Sequence, residues 1–215
     1  MITDQLLRTY PIISDQVDER ELRVLLRELE RLLEAGCQGS VVEFGCYVGT
    51  TSLFIRRLLD AYQHAGAFHV YDSFAGLPEK SAQDASAAGE QFVAGELAAT
   101  RKGFLQQFKK AGLRPPVVHK GWFAELTPHD VPEDIMFAFL DGDYYQSIMD
   151  SLRLVTPKMT PDAVLVVDDY ANEALPGAAR AADAWLRAHP GFRCRVEASL
   201  AVMTAKNNQR LVRSW

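Results

Sequence analysis

The sequence has no run of lysine and arginine, no apolar stretch of 18 residues, and only three cysteines. Each lack excludes something. With no basic stripe and a net charge of -5, the chain lacks the electrostatic footprint of a nucleic-acid binder. Without a long apolar run, no transmembrane helix is expected. The cysteines, Cys37, Cys46 and Cys194, are odd in number and their spacings do not resemble a zinc site. They read as reduced, buried thiols, which predicts a cytoplasmic protein. The first residues, MITDQLLRTYPIISDQ, do not lead from a basic segment into an apolar one, so they do not read as a signal peptide. No helical His pair of the zinc-protease kind occurs, nor a G-x-S-x-G elbow, which argues against those two hydrolase classes.

What is present is ordinary for a globular domain: 215 residues, 48% hydrophobic and 24% charged. Such a chain can bury a core without disulfides or metals. We expect one domain over residues 1–215. The i, i+3, i+4 leucines from Leu22 to Leu33 predict an amphipathic helix over 18–35. Asp18 with Glu21 resembles a capping box there, and Gly36 stands where the helix would stop.

From Val41 onward, short apolar runs alternate with helical patterns. Strands are predicted at Val41–Phe44, Phe68–Tyr71, Val117–His119, Ile135–Leu140 and Ala163–Val167. Helices are predicted at Thr50–Tyr62, Leu97–Lys110, Gln146–Val155 and Ala178–Ala188. This alternation is the signature of a doubly wound, mainly parallel sheet with helices on both faces. Phe192–Val196 and Leu200–Thr204 are two closing strands joined by a turn too short for a parallel crossover, so they should be antiparallel. Residues 78–95 are polar and rich in small residues, and read as a loop or loosely helical lid.

Ligands of open parallel sheets sit beyond the C-terminal strand ends. Glu43, Asp72, Asp141, Asp168 and Asp169 all fall at such ends. The stretch EFGCYVG, from Glu43 to Gly49, is either a ligand-holding turn or simply a tight strand-to-helix turn. It is not G-x-G-x-x-G: Tyr47 stands where a dinucleotide fold needs room for a pyrophosphate. A ligand with an amino-acid end and a nucleoside end fits better. Glu43 could receive its ammonium group, and the amides and hydroxyls of Thr50 and Thr51 its carboxylate. Asp72 either binds a ribose diol or caps the turn from Ser73 to Gly76. Asp141, Asp143, Asp168 and Asp169 either cap helices or share a hard cation such as Mg²⁺, which would relieve their mutual repulsion. His69 reads as structural. His119 is a base candidate near the ligand edge. Trp122 and Phe123 either flank a planar base or pack under a loop.

Together, VVEFGCYVGTTS, YDSFAGLP, KGWF, LDGDYYQS and VVDDY, spread over residues 41–170, resemble the macrocin O-methyltransferase family, a branch of the class I S-adenosylmethionine-dependent methyltransferases. The resemblance implies a Rossmann-like seven-stranded sheet of order 3-2-1-4-5-7-6 with strand seven antiparallel, preceded here by an N-terminal helical extension. It implies that S-adenosylmethionine (SAM) is held by Glu43, Gly45, Tyr47, Gly49, Thr50, Thr51, Asp72, Ser73, Gly121, Trp122 and Asp141. It implies Mg²⁺ on Asp141, Asp168 and Asp169, with Asp141 the catalytic residue. The acceptor would be a hydroxyl of a sugar or glycosylated natural product, and the protein a homodimer. Catechol-type relatives carry a lysine three residues after the first metal aspartate; here that residue is Tyr144, so no lysine base is expected. The stretch before the first strand is shorter than in longer relatives. Residues 1–38, with Tyr10 among Met1–Val17, are expected to form a reduced cover, and residues 78–100 a lid. Two other readings stay open: a nucleotide-dependent oxidoreductase or sugar-nucleotide enzyme, and a SAM-binding protein without activity.

Overall fold

The computed structural model of the chain describes residues 1–89 and 91–208. Its elements run α1 (Ile2–Thr9), α2 (Glu19–Glu34), β1 (Ser40–Phe44), α3 (Thr50–Ala61), β2 (Phe68–Asp72), α4 (Arg101–Ala111), β3 (Val117–Lys120), β4 (Ile135–Leu140), α5 (Tyr145–Val155), β5 (Met159–Val167), α6 (Pro176–Ala188), β6 (Phe192–Glu197) and β7 (Leu200–Ala205). The seven strands form one sheet of order β3-β2-β1-β4-β5-β7-β6, as expected. The first five pair in parallel, and β7 runs antiparallel to both β5 and β6. The N-terminal helical extension is α1 and α2.

The sheet divides the apolar side chains by the period-two rule of strands. Val41, Val70, Phe137, Phe139, Val164, Val166 and Val202 face one way, onto the leucines of α2 and onto Phe54, Leu58, Phe104 and Phe108. Val42, Phe44, Tyr71, Ala138, Leu140, Leu165, Val167 and Met203 face the other, onto Ile148 and Leu152 of α5 and Ala178, Ala181 and Trp185 of α6. β4 and the last five residues of β5 are buried on both faces, which explains why they read as unbroken apolar runs.

α2 is also fastened by charge. Glu28 is buried, and Arg27, Arg31 and Arg195 all reach it, the last from β6. Among the described residues no helix is long and apolar enough to cross a membrane. Cys37 and Cys46 are buried and Cys194 is half-buried.

Two local expectations need correction, at the starts of α4 and α2. α4 begins at Arg101, four residues later than predicted, because Thr100 caps it by accepting the Gly103 amide. Leu97, the predicted start, has a φ of +57°, which no right-handed helix admits. The capping box at α2 is half made. Asp18 accepts the Arg20 amide, while Glu21 turns away to accept the Ser199 hydroxyl. In the predicted lid, a single 3₁₀ turn, Ala82–Asp84, forms, and it is strapped to the body of the domain.

Candidate active site

One cavity of about 660 Å³ lies over the C-terminal ends of β1, β2, β4 and β5. It runs from the β1–α3 turn to the acids that follow β4 and β5.

The turn is built to bring backbone close to backbone. Gly45 has a φ of +89°, and a Cβ on it would stand 1.8 Å from the Asp141 carbonyl oxygen. Gly49 has a φ of +92° and precedes α3, whose first-turn amides have no partner within the helix. Tyr47 between them is also left-handed, with a φ of +46°. Asp72 holds the turn from β2: its Oδ2 accepts the Cys46 amide at 2.8 Å and the Tyr47 amide at 3.2 Å, and its Oδ1 accepts the Phe74 amide at 2.7 Å. A carboxylate offers about four acceptor positions, so one remains for a ligand hydroxyl. Asp72 thus caps its turn, as one alternative had it, and keeps an acceptor position open on the cavity. Ser73 donates to the Gly76 carbonyl and accepts the Ala75 amide, closing the next turn.

Glu43 is fully buried at the end of β1 and lines the cavity. Its Oε2 accepts the Ser52 hydroxyl, whereas its Oε1 has no partner. Burial pushes its carboxyl up to about 8; the Ser52 hydrogen bond opposes the shift and the Asp72 charge adds to it. The Thr50 hydroxyl, also buried and also on the cavity, is likewise unpartnered. Buried polar atoms without partners are rare in folded proteins. Two of them, on one cavity, mark a place for a polar ligand carrying a positive group near Glu43. Burial also raises the Cys46 thiol well above its ordinary value, so it stays protonated and inert.

On the same cavity, carboxylate oxygens of Asp141, Asp143 and Asp169 all lie within 4.8 Å of one another. Asp143 and Asp169 both hold left-handed backbone, with φ of +59° and +56°. Such conformations tend to cluster at functional sites. Burial, then the neighbouring aspartates, pushes Asp141 and Asp143 well above the ordinary carboxylate range. Asp169 is raised by burial as well, against the Asn172 side chain that donates to its Oδ1 at 2.8 Å. Asp168 is raised by burial and by Asp169. Its Oδ1 accepts the Asp169 amide, and it does not join the trio. Oxygen donors in such a group suit Mg²⁺, a hard cation, so the residues present fit one.

Of the remaining residues singled out in the sequence, Trp122 and Phe123 line the cavity and Gly121 does not; the Gly121 amide donates to the Asp72 carbonyl instead. His119 lies off the cavity. Its Nε2 is 3.0 Å from His69 Nδ1, and its ring stacks on Tyr71. Burial lowers both imidazoles, His69 to about 4. Tyr10 is also elsewhere, its ring 3.8 Å beneath the Arg57 guanidinium.

Sequence reasoning missed three contributors. Asp143 stood among the recognised acids but not among the proposed ligands, though its spacing in LDGD was the available signal. Glu21 was read as part of a helix cap, and Asp84 lay in a segment without periodicity. Both line the cavity. Ser14–Asp18, in the stretch after α1, line it too. Among the described residues that line the cavity, twelve are Asp or Glu and none is Lys, Arg or His. It is therefore suited to cationic or neutral ligands.

Residues 11–192 match the family described as macrocin-O-methyltransferase (TylF). The chain is 32% identical over 152 residues to the 8-demethyl-8-(2,3-dimethoxy-alpha-L-rhamnosyl)-tetracenomycin-C 4'-O-methyltransferase of Streptomyces olivaceus, covering 68% of this chain and 58% of that protein. It is 28% identical over 170 residues to the mycinamicin III 3''-O-methyltransferase of Micromonospora griseorubida, covering 75% of this chain and 67% of that one. The fold matches that of the O-methyltransferase NovP with a TM-score of 0.78 at 21% identity, over 93% of this chain and 85% of NovP. It matches the calicheamicin methyltransferase CalS11 with a TM-score of 0.74 at 18% identity, over 96% and 91%.

Proposed function

This chain belongs to the macrocin O-methyltransferase family, and from that premise we propose that it transfers the methyl group of SAM to a hydroxyl of a sugar or glycoside, with Mg²⁺ held beside the acceptor. One observation carries the reading. A single cavity is lined both by an unpartnered, buried Glu43 oxygen and by three converging carboxylates. The first suits the ammonium of an amino acid. The second suits a hard cation.

Each group has a place in that reading. Glu43 holds the methionine ammonium, and the amides and hydroxyls of Thr50 and Thr51, at the start of α3, hold its carboxylate. Gly45, Tyr47 and Gly49 shape the turn that lets backbone approach the ligand. Asp72 keeps that turn in place while its last lone pair meets a ribose hydroxyl, and Ser73 closes the turn behind it. Trp122 lies where it can flank the adenine, and Gly121 lets the chain turn into it. SAM, when bound, supplies a sulfonium methyl that needs no further activation. Asp141, Asp143 and Asp169 are the side chains placed to hold Mg²⁺, with Asp168 behind them steadying the Asp169 backbone. A divalent cation supplies Lewis-acid stabilisation of a hydroxyl as it loses its proton. Among the described residues no lysine or histidine lines the cavity, so a carboxylate is left to take that proton, and Asp141, buried on the cavity beside the other acids, is the group placed to take it. The rest of the rate enhancement is orientation of two reactants in one cleft.

Charge narrows the acceptor. CalS11 is described as a TDP-rhamnose 3'-O-methyltransferase. Among the described residues the cavity offers a diphosphate no side-chain cation, which favours a glycoside from which the nucleotide has already gone. The test is calorimetric and enzymatic. S-adenosylhomocysteine should bind, and methyl transfer from labelled SAM should appear with neutral or amino-bearing glycosides and not with nucleotide sugars. No binding of S-adenosylhomocysteine at millimolar concentration would overturn the methyltransferase reading. Undiminished turnover in EDTA would remove the Mg²⁺ part alone.

A further inference from the structure

The segment between β2 and α4 is fastened to the catalytic end of the domain by one buried side chain. Asp84 is 3% exposed. Its Oδ2 accepts the Ser81 amide at 2.8 Å and the Ser81 hydroxyl at 2.5 Å, closing its own 3₁₀ turn. Its Oδ1 accepts the Tyr145 amide at 2.6 Å. Tyr145 is the first residue of α5, and the residue before it, Tyr144, gives the helix no side-chain cap. Asp84 thus does from 61 positions away what an adjacent N-cap residue does for most helices. The acid turn Asp141–Asp143 enters that same helix start.

α6 closes on the same point. A Cβ on Gly177 would stand 1.9 Å from Asp84 Oδ1 and 2.7 Å from the Tyr145 amide nitrogen. Glycine at this position leaves the room the carboxylate occupies. Further ties lie along the segment. Tyr144 donates its hydroxyl to the Phe92 carbonyl at 2.6 Å, Ser86 to the Glu173 carbonyl at 2.6 Å, and Arg180 donates to the Gln83 and Ala85 carbonyls. Phe92, Leu77 and Asp84 itself line the cavity.

We propose that Asp84 is a positioning residue. By capping α5 from the strap made by residues 78–89 and 91–97, it couples the seating of that strap to the placement of Asp141 and Asp143. The acceptor wall and the cation-binding acids then form together, and either is disordered when the other is. The inference rests on the methyltransferase reading for the use of those acids, though the coupling itself is a property of the fold.

The test compares Asp84→Ala with Asp84→Asn, which keeps an oxygen for the Tyr145 amide. Three quantities are read: hydrogen exchange of peptides covering 81–86 and 142–148, Mn²⁺ affinity by electron paramagnetic resonance, and S-adenosylhomocysteine affinity by calorimetry. In Asp84→Ala both peptides should exchange at least roughly tenfold faster, as expected when a cap is lost and a segment opens locally. Mn²⁺ affinity should fall about fivefold or more while S-adenosylhomocysteine affinity stays within about twofold, because that ligand's turn is held by Asp72 and not by the strap. Asp84→Asn should lie nearer the unaltered protein in both exchange and Mn²⁺ affinity. Unchanged exchange at 142–148 in Asp84→Ala overturns the coupling. So does Mn²⁺ affinity equal to that of the unaltered protein, and so does faster exchange spread evenly over the sheet. If the unaltered protein binds neither Mn²⁺ nor S-adenosylhomocysteine, the functional reading falls. The exchange at 142–148 then decides the coupling by itself.

Discussion

Glu43→Gln should strengthen the fold and weaken ligand binding at once, and the size of both effects follows from burial. The Glu43 carboxyl is pushed from 4.5 up to about 8. Its folded value is above its unfolded one, so its contribution to stability is fully present below about pH 4.5 and is lost as pH rises through 8. Each pH unit within that window costs up to ~1.4 kcal/mol. A neutral glutamine keeps the Ser52 contact and escapes the loss, so the variant's advantage in melting temperature should grow from pH 5 to pH 8. Ligand binding reverses the sign. An ammonium beside Oε1 favours the ionised form. A group with a value of about 8 is roughly 90% protonated at pH 7. Binding of S-adenosylhomocysteine at that pH should therefore release close to one proton from this residue. Calorimetry in buffers of different ionisation enthalpy reads that number directly. Glu43→Gln should lower the release by about the same amount. It should also weaken binding about 10- to 100-fold, the worth of one charge-assisted hydrogen bond. Equal proton release in the variant and the unaltered protein, or equal affinity, would refute the assignment of Glu43 to the ammonium.

Further outcomes follow from the same geometry. With their carboxyls raised, Asp141, Asp143, Asp168 and Asp169 stabilise the cation-free protein below about pH 4 and cease to do so as pH rises. Saturating Mg²⁺ at pH 8 should then raise the melting temperature by about 5 °C or more. Mn²⁺ affinity should fall further in Asp143→Asn or Asp169→Asn than in Asp168→Asn, and an equal fall in all three would contradict the trio. Gly45→Ala must displace the Asp141 carbonyl and strain a φ of +89°. A loss above ~4 kcal/mol is expected, seen as a melting drop beyond roughly 8 °C or as loss of soluble protein. Glu28→Ala strips three arginines of a buried counter-charge and should cost about 3–5 kcal/mol in urea unfolding; a change below ~1 kcal/mol would show that the arginines repartner.

Much of the fold is legible in the residues because its determinants are local. The five apolar runs mark the parallel strands, most of them buried while the edge strand β3 is exposed or half-buried, and Ile135–Leu140 matches β4 residue for residue. The short turn at Glu197–Ser199 requires the antiparallel pair that β6 and β7 make. The site is legible where it follows strand phase: Glu43, Asp72 and Asp141 end their strands on one edge because parallel strands end together. It is less legible where chain segments meet without a repeating pattern. Leu97 looked helical by composition, yet the helix waits for the cap at Thr100. His119 looked close to the ligand edge by position, yet its ring points to His69.

The amino-acid sequence by itself determined the alternation of strands and helices, the antiparallel closing pair and the list of acids at the sheet's carboxyl edge, whereas the strand order came from the family resemblance. Periodicity and turn chemistry act over a few residues and leave their mark in the order of those residues. Only the tertiary structure decided which acids share a site. Carboxylate oxygens of Asp143, and not of Asp168, converge with those of Asp141 and Asp169, a grouping that depends on how the two loops fold against each other. Only the tertiary structure, too, brought Asp84 to the head of α5, since a hydrogen bond across 61 residues depends on where folded elements stop, not on what lies beside them in the chain.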